Sequence, residues 1–241
     1  MARFHKIVEY HSEFYNQSNE TEQWLRLSDG CFRNCWNCYA PTKKVHYKIP
    51  EIIRNKVVIM DMNFLWAYPN PAETLKFLGN RIVNKKCVKY DFCSGLDYTL
   101  LTPEICRILF YHRFGRFNNK RNFTKAPRIA WDRSVKEQKI MKGALKELKR
   151  AGFTMRNIQV FILANGKIPF DECALKLDLM KVWNVQVADC WYDNQKRGSV
   201  EPRYWSYDEC KAFGKLCRTH NKLVNFGIDP ELADLNMPGA I

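Results

Sequence analysis

The chain has 241 residues, 46% of them hydrophobic, and 39 Lys+Arg against 25 Asp+Glu give a formal net charge of +14. That length and apolar content suit one large domain with a substantial core, and the basic surplus favours a polyanionic partner such as nucleic acid. Ten cysteines with no apolar leader after Met1 point to a reducing cytoplasm rather than a secreted disulfide scaffold, and no run reaches the ~18 apolar residues of a membrane span.

Residues 1–22 are polar and aromatic without a clear period, and read as an N-terminal segment. Residues 24–27 (Trp-Leu-Arg-Leu) are a candidate first strand, and a short helix is expected over 50–54. Residues 57–60 (Val-Val-Ile-Met) form a continuous apolar run of the kind buried on both faces of a sheet. Pro71 opens a helix at its first position, with Leu75, Leu78 and Ile82 as its apolar stripe. A third strand is expected over 87–93. A helix starting at Thr102-Pro103 follows, with Ile105, Ile108 and Leu109 inward. Residues 128–131 are a fourth strand. Ser134 and Glu137 have capping-box spacing, ahead of a helix with Met141, Leu145 and Leu148 that ends at Gly152. Residues 158–164 and 185–191 are the fifth and sixth strands, and a helix opened by Pro169 with Cys173, Leu177 and Met180 lies between them. The stretch 192–199 is polar and loop-like. A second capping box, Ser206 and Glu209, starts a final helix to about His220, with Phe213, Leu216 and Cys217 inward. The tail from Asp229 carries two prolines. Six strands alternating with helices predict an α/β fold with a parallel sheet over residues 23–195, curled into a full or partial barrel, and a helical extension over 196–241.

The chemistry concentrates in residues 30–39, Gly-Cys-Phe-Arg-Asn-Cys-Trp-Asn-Cys-Tyr. Cys31, Cys35 and Cys38 have C-x3-C-x2-C spacing on the loop after the first strand. Three thiolates on a tight loop can hold three corners of an iron–sulfur cube and leave one iron open. They can equally hold zinc, completed by a distant His or Cys. The other seven cysteines are scattered and read as small core hydrophobes. In a parallel sheet the site forms at the C-terminal strand ends. Those ends carry Asp61 and Asn63, Ser94 and Asp97, Asp132, and Asn165.

The cysteine spacing resembles the signature of the radical S-adenosylmethionine (SAM) enzymes. In that family an aromatic residue usually precedes the third cysteine; here Asn37 stands there, with Trp36 and Tyr39 beside it. The strand-end stretches 94–97 (Ser-Gly-Leu-Asp), 130–133 (Ala-Trp-Asp-Arg) and 161–165 (Phe-Ile-Leu-Ala-Asn) also look like those of the methylthiotransferase-type branch. The resemblance implies a partial (βα)6 barrel and a 4Fe–4S cluster on Cys31, Cys35 and Cys38, the catalytic centre. It implies SAM on the open iron and an electron donor of the flavodoxin or ferredoxin type. The family's Gly-Gly-Glu-Pro stretch is missing, so Asp61 and Asn63 are the expected acceptors for the SAM amino group. Ser94, Asp97 and Asp132 are expected at the ribose, Asn165 beside the adenine, and Tyr39 beside the cofactor.

Residues 112–128 carry Arg113, Arg116, Lys120, Arg121, Lys125 and Arg128 with Phe114, Phe117 and Phe123 interleaved. Cations meet phosphates and aromatic faces stack on unpaired bases, which makes this loop a candidate nucleic-acid contact, extended by Arg203-Tyr204-Trp205. The other reading is a solvated basic loop whose phenylalanines anchor it. The expected function is a radical SAM enzyme that takes hydrogen from a nucleic acid or nucleotide. The alternatives are the same chemistry on a peptide or small metabolite, an activase that installs a glycyl radical on a partner protein, and a non-enzymatic zinc or iron–sulfur protein that binds nucleic acid.

Overall fold

β-Branched and aromatic runs bounded by Gly, Pro and Asn supply the strands, and amphipathic runs with Ser, Thr or Asn at their starts supply the helices. The structure, a computed structural model, describes residues 16–35, 38, 40–118, 120, 122–191 and 204–227. The expectations placed on Tyr39, Arg121, residues 192–199, Arg203 and the tail from Asp229 lie outside the described residues.

The parallel strands are β1 (Gln23–Leu25), β2 (Lys56–Ile59), β3 (Lys89–Phe92), β4 (Leu96–Asp97), β5 (Phe114–Phe117), β6 (Arg128–Ala130), β7 (Gln159–Ala164) and β8 (Gln186–Trp191). One sheet runs β1-β2-β3-β5, with Asn16–Ser18 and Phe123–Thr124 added antiparallel at its edges. The other runs β8-β7-β6-β4 and is parallel throughout. The chain passes from the first sheet to the second between β3 and β4. Gly95 makes that passage at φ +78°, where a Cβ would sit 3.2 Å from the Ala130 amide nitrogen. A left-handed backbone pressed against a neighbouring strand is open to glycine alone at little cost. The expected third strand over 87–93 is shorter, Lys89–Phe92. Cys87 belongs to a separate hairpin, Ile82–Val83 with Lys86–Cys87.

The helices α1 (Pro71–Gly79), α2 (Pro103–Tyr111), α3 (Gln138–Ala151), α4 (Phe170–Trp183) and α5 (Tyr207–Phe226) follow the strands. Asn70 and Thr102 accept from Glu73 N and Ile105 N, and Ser206 with Glu209 forms a full capping box. Helix α3 ends on Gly152 at φ 110°. The stripes Leu75/Leu78, Ile105/Leu109, Met141/Leu145/Leu148 and Cys173/Leu177/Met180 are buried in one core with Val57, Ile59, Val160, Ile162 and Val187. Each such aliphatic side chain contributes about 1.5–3 kcal/mol on burial. Helix α5 packs Phe213 and Cys217 into the same core, and its Val224 is also buried. Its Asn221 side chain accepts from Val187 N (2.9 Å) and donates to Val187 O (2.8 Å). The amide thereby satisfies the free edge of β8, which would otherwise invite strand pairing.

Several expectations fail locally. Residues 50–54 form no helix. Ile82 is 66% exposed, because Asn80 caps α1 before it. Leu216 is 42% exposed, and α5 runs on to Phe226. Ser134 and Glu137 make no capping box: Ser134 caps a 3-10 turn at Val135–Glu137, and Glu137 turns elsewhere. The long loop at 112–128 holds β5 and the short strand after it.

Two arginines cross from sheet to sheet. Arg128 of β6 donates to both Asp91 oxygens (2.7 and 2.8 Å) and to Phe117 O (3.1 Å). Arg116 of β5 donates to Gln186 Oε1 of β8 (2.8 Å). Asp91 is 3% exposed, so removing its partner leaves a buried carboxylate unpaired. Arg128→Met is expected to destabilise the fold by about 3–5 kcal/mol in urea unfolding, with Asp91→Asn in the same chain recovering part of the loss. Equal stability of Arg128→Met and wild type would remove the pair from this role.

Candidate active site

The cysteine loop is built on a hairpin. Ser28–Asp29 pairs with Val45–His46, which closes the intervening residues into one loop. Gly30 starts the loop at φ +109°, with Lys43 O 2.3 Å from where a Cβ would stand. Cys31 N donates to Pro41 O (2.8 Å) and Cys38 N to Cys35 O (3.0 Å). Below the loop lies Asp61, buried at the end of β2. It accepts from Leu27 N (2.7 Å) and Ser28 Oγ (2.5 Å). Burial pushes its carboxyl up to about 7, with these bonds and Arg26 pulling the other way.

Arg33, between the first two cysteines, ties the loop to the far strand ends. Its Nε donates to Asp97 Oδ2 (2.8 Å), and a second nitrogen reaches Asp97 Oδ1 and Thr99 Oγ1 (2.8 Å). Its third nitrogen meets Glu137 Oε2 at 3.4 Å, and the guanidinium carbon lies 5.0 Å from the centre of the Tyr98 ring. Tyr98 donates its hydroxyl to Glu137. Burial opposes the Asp97 charge, but the bonds and charge of Arg33 outweigh it, and the carboxyl stays below the ordinary range. Asn63 completes the clasp: its amide nitrogen donates to Asp97 Oδ2 (3.0 Å) and to Cys31 Sγ (3.3 Å). Two acceptors on that nitrogen fix which way the amide points.

Cys31, Cys35 and Cys38 line one cavity of about 190 Å³, together with Asn63, Ser94, Asp97, Asp132 and Arg133. The structure therefore brings four of the expected cofactor contacts to the cysteines. Two of the four are different in kind from the rest. Asn63 is 5% exposed, and among the described residues nothing donates to its Oδ1; Asp132 Oδ1 is likewise buried with no donor among the described residues. Burial pushes the Asp132 carboxyl up to about 6, against the pull of Lys176 and Arg33. Buried acceptors left without donors are expensive unless a ligand supplies them.

The remaining expected contacts have other duties. Asp61 does not line the cavity; it is a buried anchor for the loop. Asp97 lines it, but Arg33, Asn63 and Thr99 already take both its oxygens. Asn165 Oδ1 accepts from Tyr204 N and Trp205 N (both 3.2 Å), so it secures the approach to α5. Arg33, Tyr98 and Glu137 were missed in the sequence. The one signal was a cation inside a cysteine loop.

The donor set suits an iron–sulfur cluster. Two of the sulfurs are met by N–H groups, Asn63 Nδ2 on Cys31 and Ala40 N (3.4 Å) on Cys38. Burial, then Cys38, Asp132 and Cys31, push the Cys35 thiol up to about 11, so metal binding there would release a proton. The thiols share a wall rather than a point: among the described residues no group of three or more His, Cys, Asp or Glu is placed to hold a metal ion. None of the ten cysteines is in a disulfide.

On the basic loop, Phe114 and Phe117 are 1% and 3% exposed, and offer no ring face to a base. Arg116 is half-buried on Gln186, and Lys125 lies 4.3 Å from the centre of the Phe110 ring. Arg113, Lys120 and Lys125 are exposed. Phe114 and Phe117 thus anchor the segment, and Phe123 is half-buried with its ring centre 5.5 Å from that of Phe117. Among the described residues no helix is long and apolar enough to cross a membrane. No protein-family model matches the chain, and no curated protein matches it.

The Asp61 anchor has a pH signature. A carboxyl held near 7 in the fold and near 3.8 when unfolded keeps its proton only in the folded chain between those values. Stability therefore falls as pH rises from about 4 to 7, by a few kcal/mol in all, and is flat on either side. Asp61→Asn keeps an acceptor for Leu27 N and offers a donor to Ser28. Its denaturation midpoint is expected to vary much less than that of wild type across that window. Parallel profiles would mean that Asp61 is ionised in the fold.

Proposed function

We propose that this chain is a radical SAM enzyme, with Cys31, Cys35 and Cys38 holding a 4Fe–4S cluster and a nucleic acid or nucleotide as substrate. The observation that carries the reading is the shared cavity: three cysteines in C-x3-C-x2-C spacing line the same space as Asn63 and Asp132, whose buried acceptors have no donor among the described residues. When bound, the cluster supplies the electron and the open iron at which SAM is cleaved to methionine and a 5′-deoxyadenosyl radical, which takes hydrogen from the substrate. Within each sheet the pairs β1-β2-β3 and β4-β6-β7-β8 are parallel. With β3 and β4 read as one split strand, this order supports the partial (βα)6 barrel that goes with this chemistry, with β5 as an added neighbour of β3.

The chain's own residues position and enclose. Asn63 Oδ1 accepts from the SAM amino group while its Nδ2 stays on Cys31 and Asp97. Asp132 accepts from a ribose hydroxyl, and Ser94 lies on the same wall. Arg33 holds the loop over the strand ends. An electron donor of the flavodoxin or ferredoxin type and a reducing cytoplasm complete the reading, and the +14 charge favours a polyanionic substrate.

Anaerobic reconstitution with iron and sulfide, then dithionite and SAM, is expected to yield 5′-deoxyadenosine from wild type and only background from Cys35→Ala. Asn63→Ala is expected to raise the SAM dissociation constant roughly 10-fold or more, the worth of one charged hydrogen bond of about 1.5–3 kcal/mol. Intact SAM after incubation with iron-loaded wild type would overturn the enzyme reading.

A further inference from the structure

Helix α3 carries a run of cations that the fold does not use. Lys139, Lys142, Lys146 and Lys149 follow one another at three- and four-residue steps, with Lys136 one step ahead of the helix. That spacing puts them on one face. All five are exposed, and none makes an ion pair among the described residues. The nearby acids are committed: Glu147 to Arg150, and Glu137 to Arg33 and Arg133. Like charges at these steps weaken an isolated helix.

The same face holds Gly143, in the helix interior. A Cβ there would meet nothing within 4 Å, so neither packing nor a positive φ calls for glycine. It leaves the backbone bare between Lys139, Lys142 and Lys146, a flat place for a chain to lie close. The run also leads somewhere. At its start, Arg133 lines the cysteine cavity. At its end, Ala151 borders a shallow basin with Arg107, Tyr111 and His112, and the Tyr111 ring is 82% exposed.

We propose that α3 is a track for a single-stranded nucleic acid, with phosphates on the lysines, a base stacked on Tyr111, and the strand led past Arg133 to the cavity. A duplex surface would not need an exposed ring beside the cations, whereas unpaired bases stack on one. The substrate assignment rests on the reading above, but the surface itself needs no cluster.

The test is fluorescence anisotropy with a labelled single-stranded RNA of mixed sequence, using the full chain over a range of salt. Lys139→Gln/Lys142→Gln/Lys146→Gln is expected to weaken binding at least about 10-fold and to flatten the salt dependence by about 2, at roughly 0.7 per phosphate released. Lys211→Gln/Lys215→Gln/Arg218→Gln on α5 should bind like wild type. Tyr111→Ala should lose about 5-fold or more, the low end of one stacked base. Circular dichroism checks that each variant folds. Wild-type affinity in the α3 triple, equal loss in the α5 triple, or binding to phosphatidylserine vesicles without binding to RNA would each overturn the track. Because the readout is binding, an RNA-binding protein that leaves SAM intact would sink the enzyme reading alone.

Discussion

The guanidinium of Arg33 on the carboxylate of Asp97 is the contact on which the site depends. The cysteine loop leaves the first sheet after β1, while Asp97 belongs to the second. Without that fork, the ties that remain for the described part of the loop include the hairpin and Asp61 at its base and the Asn63 amide on Cys31. Arginine suits the task because its planar donors match a carboxylate in two places at once. Both partners are nearly buried, at 9% and 8% exposure, so the geometry is held away from competing water. A buried pair of this kind gives little net stability, but it fixes position. Here the position is that of three thiols against two strand ends.

The same logic recurs lower down. The two sheets meet through Gly95, where the chain changes sheet, and through Arg128, which spans from β6 to Asp91 and Phe117 O. Arg116 makes a third link at Gln186. Polar residues thus join the sheets on the inside while aliphatic stripes seal them from outside. That division leaves the cavity at the strand ends with two buried acceptors, Asn63 Oδ1 and Asp132 Oδ1, that no donor among the described residues meets.

Much of the fold was legible because burial writes a period into the chain. Val57–Ile59 and the run over 160–164 are apolar at every step, and Met141, Leu145 and Leu148 recur at helical spacing. The failures are those where a side chain is claimed by something distant. Glu137 has the spacing of a capping box, but Arg33, Arg133 and Tyr98 take it. Asp61 and Asn63 are two residues apart, a spacing that a strand would turn to one face, but the strand ends at Ile59 and the irregular chain beyond it sends one beneath the loop and the other to the cavity. The phenylalanines of the basic segment stand three and six residues apart, a spacing that announces no strand, yet Phe114–Phe117 forms β5 and joins the first sheet. The lysines of α3 were passed over for the opposite reason: a helix whose inner face is well packed draws no notice to its outer one.

The proposed function requires a cluster open at one iron and held by Cys31, Cys35 and Cys38. The most direct measurement is the electron paramagnetic resonance spectrum of the reconstituted, dithionite-reduced chain, recorded with and without SAM beside a metal analysis. The account predicts about four irons per chain and a cluster signal that changes when SAM is added, because a three-cysteine site leaves one iron for an outside ligand. Zinc in place of iron, or a signal indifferent to SAM, would contradict it.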